Sequence, residues 1–324
     1  MQLRHGTAVI HRAPGVIQVG TDWGRELVLR DLTRDHEQWL LALGHAAAIS
    51  PFPFTGTLAP PPPPAGSLAL QIALRNAGYA LPRPMRHPRI LFNGMESALC
   101  PAIDMAISTG TLGLLQILDP RPYGRDIVDV LGPHGIGRTR QAGVTSHFQG
   151  LYPWLESSTS PVCDLTIVTR ARSLDHGLLG HLLALEEWHL SILIGEQGAI
   201  VGPLVIPGRS ACARCLALHM SGRDPDLSAA EISAASHPVA RLSSAAQARL
   251  TLVLTEFFDN FSRFWHLGDH SQKELLPLYN QVSTILPNGR AVQHTLSPHP
   301  ECGCATESLT RTAQPGEKRG SNRR

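Results

Sequence analysis

The sequence predicts an α/β protein: a mainly parallel, Rossmann-like sheet covered by helices on both faces, preceded by a small winged-helix-like module. Three observations predict this. From about residue 88 onward, short apolar runs alternate with segments of helical periodicity, the pattern of strands joined by crossover helices. Before residue 50, two or three short alternating runs lead into a single amphipathic stretch. The chain has 324 residues, of which 43% are hydrophobic and 17% charged, which allows one large core and a smaller one.

In the N-terminal module the apolar cores are Ala8-Val9-Ile10, Val16-Ile17-Gln18-Val19 and Leu27-Val28-Leu29, with Gly15, Gly20 and Gly24 placed for turns. Asp31 or Thr33 can cap a helix over residues 35–46, where Trp39, Leu40, Leu43 and Ala47 recur at helical spacing. Residues 1–50 cannot bury much surface alone and are expected to lean on a partner or on the rest of the chain. Residues 51–86 read as a stiff spacer followed by a helix. Pro51, Pro53 and the proline run at 60–64 favour an extended backbone, and a helix over residues 67–77 carries Leu68 and Ile72 on one side.

The main domain is expected over residues 87–305. Strands are predicted at 89–92, at 113–118 ending in Asp119, at 164–169, at 191–195 and at 199–206. Helices are predicted at 97–108 and 178–188, from Cys212 to Met220, and over the long apolar stretch 243–265. A hairpin over 281–286 and 291–296 turns at Asn288-Gly289. Residues 306–324 are polar and basic and read as a disordered tail.

Net charge is +2, so no strong field argues for nucleic acid or an anionic membrane. No secretory signal and no span of about 20 apolar residues is present, which points to a cytoplasmic location. Lys273 and Lys318 are the only lysines; every other basic side chain is arginine.

Four of the six cysteines form two close pairs, Cys212-Ala213-Arg214-Cys215 and Cys302-Gly303-Cys304. Each pair sets two thiolates about one tetrahedral edge apart, and together they form a closed four-thiolate set, which points to a structural zinc ion. Ordinary buried cysteines or a redox dithiol are the alternatives. His299 is close enough in sequence to compete as a ligand, whereas Cys100 and Cys163 are isolated and read as packing residues.

The stretch from Val201-Gly202-Pro203-Leu204 through Ala211-Cys212-Ala213-Arg214-Cys215-Leu216, with His299-Pro300-Glu301-Cys302-Gly303-Cys304, resembles the ThiF-like superfamily of ubiquitin-activating-type adenylyltransferases. Trp188-His189-Leu190 and Arg223-Asp224-Pro225 fit the branch that partners YcaO proteins in making azoline-containing peptides, often termed cyclodehydratases or leader-peptide-binding proteins. The resemblance implies a ThiF-like fold, a precursor peptide and a YcaO-type enzyme as partners, and an N-terminal module that binds the peptide as an added strand. Val19, Leu27, Leu29 and Trp39 are the candidate peptide-binding residues. It leaves oligomeric state open, although relatives commonly dimerise through the domain with the nucleotide fold.

The same resemblance implies an ATP site at a Gly-rich turn after the first strand. Here the turn reads Phe92-Asn93-Gly94-Met95-Glu96-Ser97-Ala98, with one glycine and with Glu96 set to face a polyphosphate with like charge. Asp119 is kept as a ribose-binding acid, but its acidic companion is replaced by Arg121. Arg140 stands where an adenylating lysine is expected, and Asp129 is either a magnesium-binding remnant or a solvated loop acid. Gly94, Asp119 and Arg140 are therefore a remnant nucleotide site, and ATP binding is not expected. No cysteine is poised for thioester chemistry.

The leading expectation is a zinc-bound pseudoenzyme scaffold in a peptide-modifying system. An active ATP-dependent adenylyltransferase is the second reading, and a stand-alone regulatory binding protein the third.

Overall fold

The computed structural model describes residues 1–3, 6–49, 62–81, 88–222, 226, 233–234, 241–267, 274 and 276–304. The chain divides into two compact units, Met1–Arg86 and His87–Arg324.

In the first unit, β1 (Gln2–Leu3) is followed by a three-stranded antiparallel sheet of β2 (Val9–Ala13), β3 (Val16–Val19) and β4 (Leu27–Leu29), with β3 central. Helix α1 (Arg34–Ile49) carries Asp35 and Glu37 in its first turn, where acidic groups favour the exposed amides. Its Trp39, Leu40, Leu43 and Ala47 are buried against Ile17, Val19 and Leu29. Helix α2 (Leu68–Asn76) and β5 (Ala80–Leu81) belong to this unit. Strand β5 pairs antiparallel with β1, and Leu74 joins the same core. The apolar face expected on α2 is not the buried one: Leu68 is 67% exposed and Ile72 46%, while Leu74 is fully buried. The pattern misleads because this short helix uses one deep anchor in place of a stripe. Pro51, Pro53, Pro60 and Pro61 lie outside the described residues, as do Arg223-Asp224-Pro225 and the predicted tail.

The second unit is an eight-stranded mixed sheet. In chain order its elements are β6 (Ile90–Asn93), α3 (Cys100–Ser108), β7 (Leu114–Leu118), α4 (Arg125–Leu131), α5 (Arg140–Leu151), β8 (Glu156–Ser157) and β9 (Leu165–Ala171). They continue as α6 (His176–Ala184), β10 (His189–Ile194), β11 (Ala199–Val205), α7 (Ala213–Ser221), α8 (Ser244–Leu267), β12 (Gln281–Ile285) and β13 (Ala291–Thr295). Strand order is β13-β12-β11-β10-β9-β6-β7-β8. The five strands from β10 through β8 run parallel, and β11, β12 and β13 add antiparallel to the other edge.

The core of this unit lies between the sheet and helices α3 and α8. Ala246, Leu250, Leu254, Phe257 and Phe261 fall three or four residues apart on α8 and, with Phe258 beside Phe257, are buried as a continuous apolar face. Ser243 caps this helix by accepting the Ala246 N–H at 3.1 Å. Helices α4 and α5 were not expected from periodicity, because Gly132, Gly135, Gly137 and Gly143 break the apolar pattern between residues 125 and 151. Asp129 consequently lies on α4, not in a loop, and pairs with Arg241.

A closed nucleotide corner and a four-thiolate cluster

The parallel strands end on one side of the sheet, where β6 and β7 hand over to the turn at residues 94–96 and to Asp119. Gly94 has φ +89, and a Cβ there would lie 2.3 Å from the Thr169 carbonyl oxygen and 2.5 Å from Arg170 Nη1. Only glycine fits so close an approach with that backbone. The turn is thus held against the end of β9.

Asp119 sits 2% exposed at the end of β7. Its Oδ2 accepts the Met95 N–H at 2.7 Å and Arg121 Nη2 at 2.6 Å, and its Oδ1 accepts Arg121 Nε at 2.9 Å and the Arg121 N–H at 3.1 Å. Burial alone would raise this carboxyl, but the bonds from Arg121 and Met95 outweigh it and hold Asp119 below the usual carboxylate range. The other edge of the same guanidinium donates to Glu96 Oε1 at 2.8 Å. The bonds to Asp119 and the charge of Glu96 raise Arg121 further above its ordinary value.

Arg140, the first residue of α5 behind the Thr139 cap, completes the corner. Its Nη1 donates to the Met95 carbonyl at 2.9 Å and to Glu96 Oε2 at 3.4 Å, and its Nη2 donates to Asp126 Oδ1 at 2.8 Å. Gly94, Asp119 and Arg140 are therefore brought together as the sequence implied. What the sequence reading missed is that Arg121 and Glu96, noted there as separate departures, are partners. The signal was present: a carboxylate buried in a tight turn requires a cation, and Arg121 follows Asp119 by two residues. Among the described hydrogen bonds, the donors of Arg121 and Arg140 and the oxygens of Asp119 are turned onto the chain itself.

The second cluster lies at the start of α7. Cys212 is its N-cap residue and Cys215 stands one turn in; Cys302 and Cys304 come from a turn beyond β13, where Gly303 has φ +73. The four Sγ atoms lie within 4.8 Å of one another, with separations of 3.8 Å for Cys212–Cys215 and 3.3 Å for Cys212–Cys302 and for Cys215–Cys304. A tetrahedral zinc–thiolate centre has edges of about 3.8 Å, so the donor set fits this metal. The Cys212 thiol donates to Cys215, whose sulfur also accepts the His299 N–H at 3.3 Å, and these bonds pull the Cys215 thiol down. The same bond and burial push Cys212 up, and burial pushes Cys304 up. Shared protons of this kind are what a metal ion replaces. His299 contributes its backbone rather than its ring, which packs edge-on against His219. Cys100 is buried in the core, and half-buried Cys163 contacts Thr166 Oγ1 at 3.2 Å.

The four candidate peptide-contacting residues go elsewhere than a groove. Val19 (0% exposed), Leu29 (8%) and Trp39 (4%) form the core of the first unit, and half-buried Leu27 packs on them. Their apolar character serves the core of this module.

The sequence matches no family profile and none of the curated proteins. The structure is similar to E. coli MccB, with TM-score 0.53 and 11% identity over 94% of this chain and 96% of that one. It is similar to E. coli MccB with ATP at TM-score 0.50 and 12% identity, over 94% and 99% of the two chains. The complex of MccB with AMPCPP and MccA gives TM-score 0.51 and 12% identity, over 94% and 98%. These likenesses show that the chain shares the fold of MccB. The likeness to the heterocyclase TruD, at TM-score 0.48, 13% identity and 99% and 45% of the two chains, is too slight to add to this. No helix among the described residues is long and apolar enough to cross a membrane.

Proposed function

We propose that this chain is a zinc-braced ThiF-like scaffold in a peptide-modifying system, which holds a precursor peptide for a YcaO-type enzyme and does not itself use ATP. The observation that carries this reading is the closure of the nucleotide corner by Arg121, which spans Asp119 and Glu96. A ribose would need the Asp119 oxygens, and a polyphosphate would need free donors beside the Gly94 turn. Here the chain's own groups take both, and Glu96 adds a buried negative charge where phosphate would lie. The residues present do not fit the nucleotide.

Zinc, held by Cys212, Cys215, Cys302 and Cys304, would have no open position, and would supply a crosslink between α7 and the turn after β13 rather than catalysis. The likeness to MccB, solved with the peptide MccA, supports a peptide as the partner. Strand addition is favoured at β4, an edge of the three-stranded sheet. Because the Gly20 N–H bonds to Ala8 on the β2 side, Val19 and Ile17 face β4, and Val28 turns its backbone N–H and C=O outward.

A second reading, adenylation with Arg121 swung aside, is favoured by the retained convergence of Gly94, Asp119 and Arg140 and by the structure of MccB with ATP. ATP–pyrophosphate exchange with a precursor peptide encoded beside the gene decides between the two. The scaffold reading expects peptide binding without exchange and a melting shift below about 1 °C in millimolar Mg-ATP. Exchange above background would overturn it.

A further inference from the structure

We propose that the four-cysteine cluster is also a peroxide-responsive clasp, in which Cys302 pairs with Cys212 and Cys304 with Cys215 as disulfides. This inference shares its thiols with the zinc reading but does not depend on a metal being present.

The geometry selects the pairing. The cross-segment sulfurs are 3.3 Å apart in both pairs, whereas the two sulfurs of the Cys212–Cys215 pair are 3.8 Å apart. Closing to a bond of about 2.05 Å is therefore the smaller movement across the segments, and each crosslink joins the start of α7 to the turn after β13. Exposure selects the order of events. Cys212 and Cys215 are buried, at 3% and 0%, while Cys302 and Cys304 are half-buried and face the oxidant first.

The thiolate of Cys302 attacks one oxygen of hydrogen peroxide; the S–O bond forms, the O–O bond breaks, and hydroxide leaves to take up a proton as water. The Cys212 thiolate then attacks that sulfur. The S–S bond forms, the S–O bond breaks, and a second hydroxide is protonated. Cys304 and Cys215 repeat the sequence, each attacking thiol giving its proton to the departing hydroxide, so two peroxides convert four thiols to two disulfides and four waters. A zinc ion, if held there, would lose its thiolate ligands in the process. The covalent ties replace the metal tie, so the domain stays closed when oxidised.

The test treats the full-length chain with hydrogen peroxide, alkylates the remaining thiols, digests without reductant and maps the linkages by mass spectrometry. Trypsin cuts after Arg214 and so separates Cys212 from Cys215, although Cys302 and Cys304 stay on one peptide. The expected result is loss of four of the six alkylatable thiols, both tryptic fragments linked to the Cys302–Cys304 peptide, and recovery with dithiothreitol. In Cys304→Ser, the Cys212 fragment alone should be linked and Cys215 should be alkylated. The melting temperature of the oxidised chain should stay above that of the reduced, chelator-stripped chain. A Cys212–Cys215 or Cys302–Cys304 linkage, or sulfinic acid without crosslinks, overturns the proposal. A chain purified without zinc would remove the zinc reading and leave this mapping decisive.

Discussion

Replacing Arg121 with alanine should destabilise the second unit in a manner that depends on pH. The side chains of Glu96 and Asp119 are each 2% exposed, and Arg121 is 43% exposed. Removing one partner of a fully buried pair costs about 3–5 kcal/mol. Here the cation is half in solvent, Asp119 keeps the Met95 N–H and Glu96 keeps Arg140, so about 2–3 kcal/mol is expected. At roughly 2–4 °C per kcal/mol for a unit of this size, the melting temperature at pH 7 should fall by about 4–12 °C. The sign with pH follows from Asp119, whose folded-state pKa is depressed. Its contribution is present above the unfolded value of about 3.9 and is lost as pH falls through the lower folded value. In the variant the lowering bonds from Arg121 are gone and burial raises Asp119, so its penalty is full at neutral pH and shrinks as the carboxyl protonates. The gap between wild type and variant should therefore be widest near pH 7 and narrow toward about pH 4, as read by urea titration at both. A gap independent of pH, or a variant as stable as wild type at pH 7, would refute the view that Arg121 closes this corner.

Cys302→Ser should lower metal content from about one zinc per chain and lower the melting temperature with it, since a lost structural ligand removes folding energy; full zinc retention would sink the assignment. Gly94→Ala should cost about 2–3 kcal/mol, because its Cβ would meet the Thr169 carbonyl at 2.3 Å with φ at +89. Gly24→Ala, also at positive φ but with nothing within 4 Å, should cost only about 1 kcal/mol, and equal losses in the two would discount the close approach. Val28→Pro should leave the melting temperature nearly unchanged while weakening precursor-peptide binding about three- to tenfold, as loss of one main-chain bond to an added strand requires. Unchanged affinity in a titration would place the peptide elsewhere.

Legibility differed by kind of signal. The strand at residues 90–93, the long helix from Ser244 and the hairpin at Asn288-Gly289 were readable because a single period governs each of them. The cysteine cluster was readable because paired spacing limits what two thiolates can do. Helices α4 and α5 were not, since glycines at four positions hide their period and tertiary packing forms them: Gly143 and Gly135 make room for the buried ring of Tyr123. The candidate peptide contacts illustrate a different ambiguity. Trp39 and Val19 are apolar and well patterned, but pattern alone does not separate a core residue from a groove residue. The charge closure was visible only as isolated departures, because pairing between Glu96 and Arg121 spans 25 positions and depends on how β6 and β7 lie side by side.

That closure also accounts for why the cation beside Asp119 is an arginine. Two carboxylates, on different elements, must be held by one side chain. A guanidinium presents separate N–H groups in a rigid fork, so Nε and Nη2 take Asp119 while Nη1 takes Glu96. An ammonium is a point charge on a flexible stem and cannot match both oxygens of Asp119 while reaching Glu96. At Arg121, where the resemblance implied an acid, the fork thus supplies a cation suited to a permanent internal pair. Arg121→Lys restores the charge without the fork. It should regain less than half of the stability lost in Arg121→Ala, measured by urea titration at pH 7, and should not create an ATP-dependent melting shift. Full rescue by lysine would mean that charge alone closes the corner, and the fork argument would fail.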